Sequence, residues 1–160
     1  MRRIKGFSLI ELLIVVAIIL VIAAIAVPSF LHSRMAANES AAAASVRTVN
    51  TAQISYDSAY PTVGYAASLS YLTGTCTGSV IPTSAAACLI DANLAAGTRS
   101  GYNFTLTNVT GTPNSTYNII AAPIQQNYSG VRYFCSYADA VVRVSLTAIT
   151  TCDGTVPPQQ

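Results

Sequence analysis

Few side chains in this 160-residue sequence could do chemistry, and their spacing narrows what that chemistry is. Four cysteines, Cys76, Cys88, Cys135 and Cys152, come first. An even number in an oxidising compartment reads as two disulfides, with three possible connectivities. A zinc site is the rival, but the sequence has no CxxC and its one histidine, His32, lies far from every cysteine. The same isolation of His32 leaves no Ser/His/Asp or Cys/His set to assemble, and no phosphate-cradling glycine loop is present, so nothing points to an enzyme. Asp139 and Asp153 are the carboxylates that follow residue 91, too few for a cation that takes six to eight oxygen ligands. No metal and no cofactor is expected.

The remaining reactive group is Glu11, and it sits in an unusual place. From Leu12 to Val27 no side chain is polar, and the apolar segment from Phe7 to Leu31 would reach about 37 Å as a helix, enough to cross a bilayer. A secretory signal peptide would have a similar basic start, Arg2, Arg3 and Lys5, but a shorter apolar region and no carboxylate within it. A single-pass anchor with a cytoplasmic N-terminus fits the length and the positive-inside rule. Neither explains Glu11, because a charge at membrane depth costs about 2.5 to 3.5 kcal/mol unless it is paired or protonated. Cutting the chain between Gly6 and Phe7 would place a new α-amino group at the same depth, and the pair would offset that cost.

The stretch "KGFSLIELLIVVAIILVIAAIAVPSF" resembles the N-terminal motif of type IV pilins and the related pseudopilins. It has a short basic leader, a glycine at the cleavage point, phenylalanine next, glutamate four residues later, and an apolar helix reaching a proline. The resemblance implies that a prepilin peptidase removes Met1 to Gly6 and N-methylates Phe7. It also implies that Glu11 meets the Phe7 amine of a neighbouring subunit during assembly, and that Pro28 marks a locally unwound part of the helix. A proline in a helix interior lacks an N–H and clashes with the carbonyl four residues back, so loosening around Ala24 to Pro28 is expected on physical grounds as well. Of the cysteine pairings, Cys76 with Cys88 and Cys135 with Cys152 close local loops, and the second resembles the C-terminal disulfide loop of many pilins.

The elements that would carry these groups follow from patterning. Ser29 to Tyr56 is rich in alanine, lacks glycine and proline, and spaces Leu31, Met35, Ala42, Val46 and Val49 for one helix face. Beyond Tyr60 and Pro61 the chain becomes loop-like through Gly64, Gly74, Gly78 and Pro82, with a short helix expected within Ala85 to Ala96. Alternation then predicts four strands, with apolar faces Tyr102/Phe104/Leu106, Tyr117/Ile119/Ala121, Val131/Tyr133/Cys135 and Val142/Val144/Leu146. "NVTGTPNS" links the first two. The expected fold is α+β: a long N-terminal α-helix, half transmembrane and half amphipathic, packed on a C-terminal antiparallel β-sheet head, the lollipop that the resemblance also implies. Its parts are a leader (1–6), a transmembrane or filament-core helix (7–28), an amphipathic helix (29–56) and a globular head (57–160).

Removing Arg2, Arg3 and Lys5 leaves five basic and six acidic side chains, a balance of −1, so no basic surface for nucleic acid is expected. The sequons at Asn103, Asn108 and Asn114 are explained equally well by turn composition. Phe7, Phe30 and Tyr56 are too far apart in sequence to form a chain of aromatic contacts.

The resemblance implies a structural subunit that starts as a single-pass inner-membrane precursor and polymerises with copies of itself into an extracellular filament. Its implied partners are the peptidase, the inner-membrane assembly platform, and the membrane before assembly. The alternatives are a pseudopilin of a secretion or DNA-uptake machine and a membrane-anchored binding module.

Overall fold

The computed structural model of the chain describes residues 7–75 and 81–159. It divides into two compact units between Arg34 and Met35. Helix α1 (Leu9–Ala59) contributes to both. Alanine and long aliphatic residues favour it, and its serines and threonines turn their hydroxyls back onto carbonyls four residues earlier: Ser33 to Ser29, Ser45 to Ala41, Thr48 to Ala44, Thr51 to Arg47 and Ser58 to Ile54. The helix ends before Tyr60-Pro61, where the proline disfavours a helical conformation for the residue that precedes it. In the single chain α1 runs through Pro28 without a break. A proline ring removes one hydrogen bond, and the bonds of the flanking turns hold the helix across it.

In the second unit, the stretch of α1 from Ala42 to Tyr56 buries one face against a sheet. The sheet has β1 (Thr98–Arg99), β2 (Tyr102–Gly111), β3 (Asn114–Pro123), β4 (Tyr133–Tyr137) and β5 (Arg143–Ser145), in that spatial order, each antiparallel to its neighbour. One more strand is present than the alternation indicated, because β1 has two residues and no pattern to read. The supposed link "NVTGTPNS" is mostly strand: β2 and β3 continue to a turn at Thr112-Pro113, with a register shift between Thr107 and Thr110.

The register sets the core. Phe104 faces Ala121, Ala121 faces Phe134 and Phe134 faces Val144, and all four side chains lie on the helix side with Tyr102, Tyr117, Ile119 and Val142. They meet Ala42, Ala43, Val46, Val49, Ala52 and Tyr56 of α1. Two expectations are corrected. On β4 the helix-facing residues are Phe134 and Ser136; Cys135 points the other way, into a second cluster with Ile120 and Cys152. Both faces of that strand are covered, so "YFCSY" reads as apolar in either phase. Leu31 and Leu146 are exposed rather than core residues, and the intended stripe continues instead through Gln53 and Tyr56. The helix expected within Ala85 to Ala96 shrinks to α2 (Ala92–Ala95), where Asp91 accepts hydrogen bonds from the N–H groups of Asn93 and Leu94 at 3.1 Å each.

Three polar side chains set how the helix sits on the rest of this unit. Asn50, nearly fully buried, donates to Ser136 Oγ at 2.9 Å and to the Ala140 carbonyl at 3.0 Å, and accepts from the Tyr117 hydroxyl at 3.1 Å. Gln53 grips the backbone of Ala66 with both ends of its amide, donating to the carbonyl at 3.1 Å and accepting from the N–H at 2.8 Å. Glu39 accepts from the N–H groups of Val131 and Arg132 at 2.8 and 3.2 Å, fixing the β3–β4 connection to the helix. Gly64 has φ of +79° and lies directly against the backbone of Asn114, where a Cβ has no room.

Replacing Asn50 by leucine should cost about 1 to 3 kcal/mol, because it strands the Tyr117 hydroxyl in the core. Denaturant unfolding followed by tyrosine fluorescence reads this, and an unchanged midpoint would show that the network contributes nothing.

Candidate functional site

The first site is the start of α1. Ser8 immediately precedes the helix, and its backbone N–H donates to Glu11 Oε2 at 3.0 Å, while its carbonyl accepts from the N–H of Leu12 at 3.2 Å. Ser8-x-x-Glu11 has the spacing of a capping box, in which a glutamate three residues in satisfies a backbone donor left free at the helix start. In the single chain, then, the carboxylate has a partner without a neighbouring subunit. Sequence reasoning treated Glu11 as a charge alone and missed Ser8, although "SLIE" contains the signal. Phe7 lies one residue before that donor, described and 77% exposed. Gly6 and the rest of the leader lie outside the described residues.

From this start the helix presents oil on every side. The least exposed of the large apolar side chains between Phe7 and Phe30, Val16, is still 46% exposed. The helix is long and apolar enough to cross a membrane, and its most apolar window is wholly unburied. A core helix of a globular domain passes the length test with its face covered; this one is uncovered among the described residues.

The second site is the loop between β4 and Cys152. Cys135 and Cys152 form a disulfide, with Cα atoms 5.9 Å apart, enclosing residues 136–151. Cys88 is also disulfide-bonded, and Cys76, its expected partner, lies outside the described residues. Within the loop the Arg143 side chain, 9% exposed, meets Asp139 through two nitrogens at 2.6 and 3.0 Å. It also donates to the Val141 carbonyl and the Tyr137 hydroxyl at 3.0 Å each, and its guanidinium carbon lies 4.3 Å from the Tyr137 ring centre. Burial disfavours the charged form of Asp139, but hydrogen bonds from Arg143, the Val141 N–H and Tyr137 outweigh it and hold the carboxyl below its ordinary value. Asp153 accepts from the N–H and hydroxyl of Thr155 at 2.9 and 2.6 Å, and these bonds lower its pKa too. The two carboxylates that a cation would need are thus engaged inside the chain. Among the described residues no group of three or more His, Cys, Asp or Glu is placed to hold a metal. Arg143 was not singled out in the sequence; an arginine in "VVRVSL" reads as the exposed face of a strand.

The sequons separate in the same way. Asn114 spends its side-chain amide on the Tyr65 carbonyl at 2.8 Å, whereas Asn103 and Asn108 are exposed. The aromatic contacts lie elsewhere than Phe7 and Phe30: Tyr56 with Tyr60 and Tyr65 with Tyr117, at 4.9 and 4.8 Å between ring centres.

An uncovered apolar helix opened by a capped carboxylate is the geometry of a chain that needs lipid or other helices around its N-terminal unit. Residues 1–27 match the family described as the prokaryotic N-terminal methylation motif. The chain is similar to the type IV wide pilus major component PilA4 of Thermus thermophilus, 56% identical over 39 residues, covering 24% of this chain and 30% of that protein. It is also similar to the type IV major pilin protein PilA of Myxococcus xanthus, 46% identical over 54 residues, 34% of this chain and 24% of that one. These matches span less than a third of either relative. No solved structure matches the chain. The relatives are named as pilus components, which agrees with a structural subunit and not with an enzyme.

Replacing Arg143 by alanine should destabilise the second unit by about 1 to 3 kcal/mol, because a buried guanidinium loses its hydrogen bonds to Asp139, the Val141 carbonyl and the Tyr137 hydroxyl, while the carboxylate left behind is exposed to water. Because the folded pKa of Asp139 is lowered, its contribution is present above the ordinary carboxylate value near ~3.9 and is lost as pH falls through the lowered one. Unfolding measured against pH should show this acid loss, reduced in Asp139→Asn; identical curves would contradict it.

Proposed function

We propose that this chain is the structural subunit of a type IV pilus. The observation that carries the reading is the methylation motif over residues 1–27 at the head of a helix whose large apolar side chains from Leu9 to Phe30 are exposed among the described residues. A prepilin peptidase cuts between Gly6 and Phe7 and N-methylates Phe7, removing the leader 1–6. The apolar helix, residues 7–28, anchors the precursor in the inner membrane with its N-terminus in the cytoplasm. The assembly platform then draws it out, and the helices of many copies pack together in an extracellular filament. Burial of their side chains supplies the assembly free energy, at about 25 cal/mol per Å² relative to water and less relative to lipid.

The capping contact gives Glu11 a role at each stage. Before assembly its carboxylate is held by the Ser8 N–H at its own helix start. After cleavage the Phe7 amine lies one residue from that donor, and in the filament the amine of a neighbour competes for the same carboxylate. Pro28 acts at this later stage, where loosening around Ala24 to Pro28 lets packed helices adjust their length. The head, residues 57–160 together with the 29–56 part of the helix, faces outward and is stapled by Cys135–Cys152 and by Cys88 with Cys76.

Glu11→Ala should leave the precursor in the membrane at normal abundance but lower the amount recovered in the sheared surface fraction by about tenfold or more, a difference of at least ~1.4 kcal/mol per subunit. Quantitative immunoblotting of the two fractions measures it. Equal filament yield would remove Glu11 from assembly and favour the anchored binding module.

A further inference from the structure

We propose that the stretch 156–159 is a strap that closes the β5 edge of the sheet against addition of a strand from a second copy of this chain. The segment "VVRVSL", residues 141–146, combines strand-forming residues with exposed apolar ones, Val141 and Leu146 among them. Segments of this kind at a sheet edge recruit strands from other molecules. The opposite edge of the sheet is different in kind: the two residues of β1 pair only with Tyr102 and Asn103 at the start of β2, whose later residues bulge out of register between Thr107 and Gly111.

The strap meets β5 as an antiparallel strand. Val144 N–H donates to the Pro157 carbonyl at 3.0 Å, Gln159 N–H donates to the Val142 carbonyl at 2.8 Å, and Arg143 stands opposite Pro158. In this pattern residues 157 and 159 turn their polar groups toward β5, and residue 158 turns its own outward. That outward position is a proline, so the new edge lacks the donor that a further strand would need there. The strap is also tied to the helix, since Arg47 donates to the Gln159 side-chain carbonyl at 2.9 Å. Val144 and Leu146 on the β5 side and Pro157 and Pro158 of the strap line one groove where the two segments meet. The edge is therefore occupied and its new border is blocked, which leaves the sheet unable to grow from its β5 side.

Hydrogen exchange of the full chain in detergent tests this, read at the Val144 amide over a range of protein concentrations. The intact chain should protect Val144 equally at every concentration. In a chain ended at Val156, Val144 should exchange freely when dilute and about tenfold more slowly when concentrated, as a second copy takes the place of the strap. Pro158→Val keeps the strap bonds but restores an outward donor; it should protect Val144 as the intact chain does and form larger detergent complexes by sedimentation. Free exchange of Val144 in the intact chain would overturn the strap. Concentration-independent exchange in the shortened chain would overturn the strand addition. If the shortened chain loses its near-ultraviolet signal and does not fold, Pro158→Val decides alone, and a sedimentation profile matching the intact chain overturns the proposal.

Discussion

The structure depends on one unmet requirement: an unbroken apolar surface from Leu12 to Val27 that is left uncovered among the described residues. Leaving that much apolar surface in water is unfavourable, and lipid or other helices are the surroundings that would relieve it. The carboxylate that opens this surface is consistent with that constraint because it is already hydrogen-bonded at its own helix start. A capped glutamate is less costly to hold at membrane depth than a bare one.

The second unit has the opposite character. Its buried polar side chains find partners within the unit: Asn50 in Tyr117, Ser136 and Ala140, Gln53 in the backbone of Ala66, and Arg143 in Asp139. The Tyr117 and Tyr102 hydroxyls, both pushed well above their ordinary pKa by burial, act as neutral hydrogen-bond donors at every physiological pH. One nitrogen, Nε of Arg143, is left without a partner among these groups. Such a unit needs little from outside to fold, whereas the apolar helix needs much. That division suits a part that is presented to solvent and a part that drives association.

Much of this was legible in the sequence because the signals were strong and periodic. The apolar run, the alanine-rich continuation and the helix-facing alternation of β2 and β3 each follow from one rule applied over many residues. What was missed lay where two rules gave the same letters. β4 is apolar in both phases because its outer face is buried by the disulfide loop, so Phe134 and Cys135 could not be assigned to sides. Asn50, Gln53 and Arg143 are polar residues in the core, and a pattern that places apolar residues inside cannot find them. Ser8 was legible in principle, since Ser-x-x-Glu before an apolar run is a helix-start signature, but the charge of Glu11 drew the reading away from it. The Cys135–Cys152 bond matched its expectation, since closing a short loop needs little reorganisation of the chain.

The central claim is that this chain leaves the membrane as a processed filament subunit. Unreduced intact-mass and N-terminal mass spectrometry of material sheared from the surface of the native cells tests it most directly. The account predicts a chain that begins at N-methylated Phe7 and is lighter by the four hydrogens of two disulfides. A chain that remains in the membrane fraction with Met1 to Gly6 attached would contradict it.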